Sequence, residues 1–337
     1  MRRRIGPFTV GAIGLGCMNL SHAYGAPLGV AAGERVLAAA IDAGVDHFDT
    51  AALYGFGANE TLVGRMLRPY RQRITLASKG GMAGAAGEDG VMRRVIDGRP
   101  EALVRNCEDS LRRLGTDVID LYYLHRFDKK VPVEDSVGAL SDLVQRGLVR
   151  TIGLSEVSAE TLRRAHRVHP VTAVQSEYSL WSRNPEIAVL AEARALGVAF
   201  VAFSPLARGF LTGTLTDVTG FDARDIRRAM PRFAPETYPR NLALLDPFRA
   251  LADEAGCTPA QLALAWVLAQ GEEIVAIPGT TSPAHLAEDL GAAAVVLPAG
   301  MAERLSALFA PSAIAGPRYN APTQSEIDTE EFPASGV

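Results

Sequence analysis

The stretch Pro100-Glu-Ala-Leu-Val-Arg-Asn-Cys-Glu-Asp-Ser-Leu-Arg-Arg-Leu-Gly115, followed closely by Ile119-Asp-Leu-Tyr-Tyr-Leu124-His125, decides the fold. Leu103, Cys107, Leu111 and Leu114 recur at helical spacing and give one apolar face. Proline opens this segment and glycine closes it. The first turn of a helix does not need the N–H that proline lacks, and glycine accepts the left-handed backbone on which helices end. Ile119–Leu124 is apolar, bulky and too short for a helix, so it reads as a buried strand. It ends on His125. Helix and strand together make one step of a repeating α/β chain.

The same step recurs along the whole sequence. Apolar runs at Ala12–Leu15, Asp46–Asp49, Ile74–Ser78, Ile119–Leu124, Thr151–Leu154, Ala173–Gln175, Val198–Phe203 and Ile274–Ile277 read as strands, each followed by a segment of helical period. Thr258-Pro259 and Ser282-Pro283 each read as an N-cap followed by a first-turn proline. Eight such units with no linker predict a single (β/α)8 TIM barrel over residues 1–337, not a doubly wound sheet. Gly80–Arg99 and Leu206–Leu245 are longer than ordinary connections, and both leave strand C-terminal ends, the face on which barrel active sites lie. Residues from about Pro311 onward are small, polar and proline-rich, and read as a surface tail folded over the barrel mouth.

Composition excludes several functions. Hydrophobic residues form 48% of the chain, enough for a large core, yet no run approaches the ~18 apolar residues of a membrane span. Thr9–Gly16 is too short and too interrupted by glycine for a secretion signal, so a cytoplasmic protein is expected. A net charge of −4 offers nothing to nucleic acid. Cys17, Cys107 and Cys257 are scattered, and His166 and His169 lack an accompanying carboxylate, so neither disulfides nor a metal are expected. Asn19 stands where the third glycine of a dinucleotide fingerprint would follow Gly14 and Gly16, which excludes a Rossmann site.

Lysine is the informative residue. Of 34 basic residues only Lys79, Lys129 and Lys130 are lysines, so arginine serves wherever a plain positive charge suffices. Lys79 ends a strand, as do Asp49 and His125, and Tyr54 lies just beyond Asp49. Singly, each reads as a cap or a packing residue; together they bring an acid, a phenol, an amine and an imidazole to one barrel mouth. That set suits reduction of a carbonyl. Hydride delivery leaves a developing alkoxide that needs a proton donor, and a lysine held by an aspartate can help a tyrosine release its proton.

With these residues in place the sequence resembles the aldo-keto reductase family. The likeness runs in order through Gly14-Leu-Gly-Cys-Met18, Asp49-Thr-Ala-Ala-Leu-Tyr54-Gly, Ser78-Lys79, Leu124-His125, Gly153-Leu-Ser-Glu-Val-Ser158, Gln175-Ser-Glu-Tyr178, Phe203-Ser-Pro-Leu-Ala-Arg-Gly-Phe210 and Ile277-Pro-Gly-Thr280. It implies an NAD(P)H-dependent oxidoreductase acting on a small carbonyl compound, with Asp49, Tyr54, Lys79 and His125 as catalytic residues and Tyr54 as the acid. Among implied cofactor contacts, Ser155 and Gln175 would hold the carboxamide, Tyr178 would stack on the nicotinamide, and Gly16, Met18 and Asp49 would touch it. Ser204, Pro205, Leu206, Arg208 and Gly209 would wrap the pyrophosphate, and Gly279, Thr280, His285, Glu288 and Asp289 would surround the adenosine.

The sequence departs from many members at three places. Glu156 replaces an asparagine, Gly279-Thr280 replaces a Lys-Ser pair, and His285 replaces an arginine, forms that resemble the bacterial branch with pyridoxal reductases. NADPH is expected, with NADH possible. Two other readings share this fold: an aldolase-type barrel with a Schiff base on Lys79, and a non-catalytic, nicotinamide-binding regulatory subunit.

Overall fold

The computed structural model describes residues 1–21 and 23–333. A hairpin of β1 (Arg2–Ile5) and β2 (Phe8–Gly11) precedes the barrel. The barrel strands are β3 (Leu15–Gly16), β4 (His47–Asp49), β5 (Thr75–Gly80), β8 (Ile119–Leu124), β9 (Val149–Ser155), β10 (Val171–Glu177), β11 (Ala199–Phe203) and β12 (Ile274–Ile277). Each pairs in parallel with the next, in the order β12-β11-β10-β9-β8-β5-β4-β3. Ile13 and Ala276 bridge the two ends: Ala276 N donates to Ala12 O, and Gly14 N to Ala276 O, both at 2.9 Å. A parallel sheet closed on itself with helices outside is the (β/α)8 barrel, in one domain.

Helices α1 (Val30–Asp42), α2 (Ala58–Leu67), α3 (Pro100–Leu114), α4 (Val133–Gln145), α5 (Ala159–Val168) and α6 (Val189–Leu196) cover the first part of the sheet. They are followed by α7 (Tyr238–Leu242), α8 (Leu245–Ala255), α9 (Pro259–Ala269), α10 (Pro283–Gly291), α11 (Met301–Leu308) and α12 (Ala321–Gln324). Helix α3 begins at Pro100 and ends on Gly115 at φ 63°, and Thr258 caps α9 through a reciprocal pair with Gln261. None of these helices is long and apolar enough to cross a membrane.

Strand alternation sorts the core into two layers. Ala77, Leu121, Tyr123, Ala173, Ala199, Val201, Val275 and Ile277 point inward and, with Ile5 and Val10 of the hairpin, fill the barrel. Phe48, Leu76, Tyr122, Leu124, Val174 and Phe200 point outward against the helices. The interior is packed tightly enough to dictate glycine at position 153, where a Cβ would stand 2.4 Å from the Tyr123 ring and 2.9 Å from Ala173 O.

Three features differ from the sequence expectation. Ala12–Leu15 is not a full strand; its partner contacts reduce to the Ile13 bridge and the two-residue β3. Gly80–Arg99 is not a bare loop but holds an antiparallel hairpin of β6 (Met82–Ala86) and β7 (Met92–Ile96), whose glycines and alanines carry little strand signal. The C-terminal segment does cross the mouth, yet it is not a surface tail: Ala315, Arg318, Tyr319 and Ile327 are buried. Its acidic residues meet the start of α5, where Asp328 accepts from Ser158 N at 3.1 Å and Glu330 from Ala159 N at 2.7 Å. Residues 334–337 of the expected tail lie outside the described residues.

Candidate active site

The alternation that fills the barrel also selects what projects at its mouth. Asp49, Lys79, Ser155, Gln175 and Phe203 continue the inward rows of their strands, and His125 continues that of β8 one residue past its end. Tyr54 comes from the turn after β4, where Gly55, Phe56 and Gly57 all take positive φ (54°, 51° and 97°). Ala52 N donates to Lys79 O and His125 N to Gly80 O, tying the three neighbouring strand ends together.

Lys79 is fully buried and, among the described residues, its ammonium makes three hydrogen bonds: to the Asp49 carboxylate, to Thr50 O at 2.9 Å and to the Tyr54 hydroxyl at 3.4 Å. Gln175 donates to the other Asp49 oxygen at 2.9 Å. The Tyr54 and His125 rings meet edge to face, with centroids 5.8 Å apart. Burial by itself would lower the pKa of Lys79, but the Asp49 carboxylate and the Tyr54 oxygen outweigh it and raise it above the usual lysine value. Burial pushes the Tyr54 phenol up, while Lys79 and Arg126 pull it back. Both shifts favour the protonated forms, a charged ammonium beside a neutral phenol.

These groups open onto a cavity of about 860 Å³. Its lining includes Gly16, Met18, Asp49, Tyr54, His125, Ser155, Gln175, Ser204, Pro205, Leu206, Arg208, Gly209, Gly279, Thr280, His285, Glu288 and Asp289. The turn after β11 carries Ser204, Ala207, Arg208 and Gly209 at positive φ (48°, 51°, 58° and 95°), and Ser282 caps the start of α10 by accepting from His285 N. Asp289 is pushed up to about 7 by burial and by Glu288. A cavity lined from Asp49, Tyr54 and His125, which with Lys79 make up a tetrad, past a tightly turned loop to a helix start fits a dinucleotide.

One sequence-predicted residue sits differently from expectation. Tyr178 does not line the cavity. It follows Gln175 and Glu177 of β10, which face inward, so its side chain turns outward, packs on Phe200 and Trp266, and donates to Glu186 at 2.8 Å. Phe203 is the cavity aromatic at the neighbouring strand end. Glu156 is also turned away from the cavity. It takes φ 58°, accepts from Glu177 N at 2.9 Å and pairs with Arg318 at 2.5 Å.

Glu156 belongs to a buried charge network that sequence reading missed. Arg318 also reaches Glu177 at 3.1 Å, and Glu177 accepts from Arg208 at 2.6 Å and Ser182 Oγ at 2.9 Å. Burial opposes ionisation of Glu177, but Arg208, Arg318 and Arg232 overcome it and hold the carboxyl well below the usual range. Tyr319 donates toward Glu177 and lines the cavity. Arg208, expected on the pyrophosphate, thus faces the cavity from within an ion pair. The only sequence signal was the pleat: an inward Gln175 requires an inward Glu177, and a buried glutamate requires a cation.

The match to the aldo/keto reductase family model spans residues 12–309. "Probable aldo-keto reductase 1" from Glycine max is 45% identical over 291 residues, covering 86% of this chain and 83% of the relative. The structure of the glycerol dehydrogenase AKR11B4 from Gluconobacter oxydans superposes with a TM-score of 0.83 at 30% identity, over 92% of this chain and 96% of that one. The aldo-keto reductase AKR11C1 from Bacillus halodurans, in its holo form, gives 0.73 at 26% identity, over 91% and 95%. The chain therefore belongs to the aldo/keto reductase family, enzymes that interconvert carbonyls and alcohols with a nicotinamide cofactor.

Proposed function

We propose that the protein reduces an aldehyde or ketone to its alcohol using NADPH, with NADH bound more weakly, and that Tyr54 is the proton donor. The carrying observation is the buried Asp49–Lys79–Tyr54 chain, ending beside His125 at the cavity. The reduced nicotinamide, when bound, supplies the hydride. Tyr54 gives its proton to the carbonyl oxygen, and Lys79 stabilises the phenolate that remains. Asp49 keeps Lys79 charged and in place, and His125 orients the carbonyl by hydrogen bonding.

Ser155 and Gln175 are proposed to hold the carboxamide, with Gly16, Met18 and Asp49 close by and Phe203 in the ring-contact role first read for Tyr178. The turn from Ser204 through Pro205 and Leu206 to Arg208 and Gly209 takes the pyrophosphate; Gly279, Thr280, His285, Glu288 and Asp289 take the adenosine. No acidic residue lies at 279–282 to grip a 2′-hydroxyl, which favours NADPH. Among Arg224, Arg227, Arg228 and Arg232, only Arg227 lines the cavity, and Asp225 engages it at 2.6 Å, so the margin over NADH is modest.

A Schiff base on Lys79 is disfavoured because a buried, ion-paired ammonium has no free lone pair. The test is Tyr54→Phe: carbonyl-dependent NADPH oxidation should fall roughly 10²–10⁴-fold with near-normal NADPH affinity. Turnover within a few-fold of wild type would rule Tyr54 out. Wild-type protein that binds NADPH but turns over nothing in a broad carbonyl panel would favour the regulatory-subunit reading.

A further inference from the structure

Four arginines line the cavity: Arg94, Arg126, Arg208 and Arg227. Three are neutralised. Arg94 pairs with Glu326, Arg208 with Glu177 and Arg227 with Asp225, each at 2.6 Å. Arg126 has no carboxylate partner among the described residues. Its Nη1 donates to His125 O at 2.8 Å and toward Ser155 Oγ at 3.4 Å, which fixes the guanidinium beside the tetrad. Its Nε and Nη2 have no acceptor among the described residues. That edge of a guanidinium is one with which carboxylates form two parallel hydrogen bonds. Met18, Leu53 and Met82, which cluster around Tyr54, give the same cavity an apolar wall.

We infer that Arg126 is a specificity residue and that the preferred substrates are carbonyl compounds with an apolar body and a carboxylate that docks on its Nε–Nη2 edge. This rests on the reading of the cavity as a carbonyl-reducing site. Arginine suits the role because its planar fork matches the two carboxylate oxygens. A carboxylate there sits within reach of the tetrad but outside the Asp49–Lys79 pair, so it does not compete for the ammonium.

The test compares para-carboxybenzaldehyde with its methyl ester, which keeps the ring and the aldehyde, adds one methyl group and removes the charge. In wild type, kcat/KM should favour the acid by roughly tenfold or more, the usual worth of a charge-assisted hydrogen bond. Arg126→Gln should bring the acid-to-ester ratio of kcat/KM to about one, mainly through the KM of the acid, whatever change in kcat the two substrates share from losing a charge beside Tyr54; Arg126→Lys should restore part of the ratio. The dissociation constants of the corresponding alcohols, para-hydroxymethylbenzoate and its methyl ester, for the NADP⁺-loaded protein read the same discrimination without turnover. Equal affinity for acid and ester in wild type would overturn the inference, with the reductase reading intact if the ester is reduced. An equal loss for both in Arg126→Gln, together with weaker NADPH binding, would place the guanidinium on the cofactor and overturn it too.

Discussion

Arg318→Met is the substitution whose cost follows most directly from the structure. Methionine keeps much of the volume but removes the cation that touches both Glu156 (2.5 Å) and Glu177 (3.1 Å). Glu177 retains Arg208 and Ser182, whereas Glu156 retains, among the described residues, one backbone donor at Glu177 N. The damage therefore falls on Glu156, a fully buried carboxylate left without its counter-charge. Breaking one side of such a pair costs about 3–5 kcal/mol. For 337 residues the unfolding entropy is about 0.7 kcal/mol/K, so Tm should fall by roughly 4–7 °C. Glu156→Gln in the same chain should recover about half of the loss, because its amide oxygen still accepts from Glu177 N and no unpaired charge remains buried at position 156. Calorimetry at fixed scan rate on wild type, both single variants and the double variant completes the cycle. A fall below about 2 °C, or single-variant costs that simply add, would refute the account of the network.

Two further substitutions probe the charges at the two ends of the cavity. Lys79→Arg should abolish turnover, since a planar fork cannot replace a compact ammonium between Asp49 and Tyr54; mass spectrometry after borohydride should find no adduct on Lys79, and finding one would reinstate the Schiff base. Asp289 has a folded value of about 7 against about 3.9 unfolded, a raised value, so its contribution is fully present below about pH 4 and lost as pH rises through about 7. Asp289→Asn should raise Tm at about pH 8 and leave it nearly unchanged at about pH 4; an equal shift at both would remove the titration as its cause.

Most of the barrel was legible because buried strands and amphipathic helices write their periods into the sequence. Ile119–Leu124 and Ile274–Ile277 matched residue for residue. Lys79 was legible for a compositional reason, the scarcity of lysine. The β6–β7 hairpin was not, because Gly84, Ala83, Ala85 and Ala86 lack the branched side chains that mark a strand. Tyr178 was misread through resemblance where strand alternation would have corrected it: counting from Gln175 turns Tyr178 outward, and counting from Val201 turns Phe203 inward. Arg318 left no local sign. Its partners lie 162 and 141 residues earlier, and nothing in the composition of a loop reveals a contact made across the barrel.

That separation has a consequence for how the protein is made. A ribosome adding about 5–20 residues per second needs roughly 8–32 s to pass from Glu156 to Arg318. Glu177 meets Arg208 only 31 residues later, but Glu156 must wait for almost the end of the chain. Throughout that interval its carboxylate can be buried only at the cost of an unpaired charge, which holds the β9 mouth open to water. Packing of the loop after β9 around Glu156 is thereby deferred to the last stage of synthesis, and a nascent chain arrested before Arg318 should carry its strands and helices without that network.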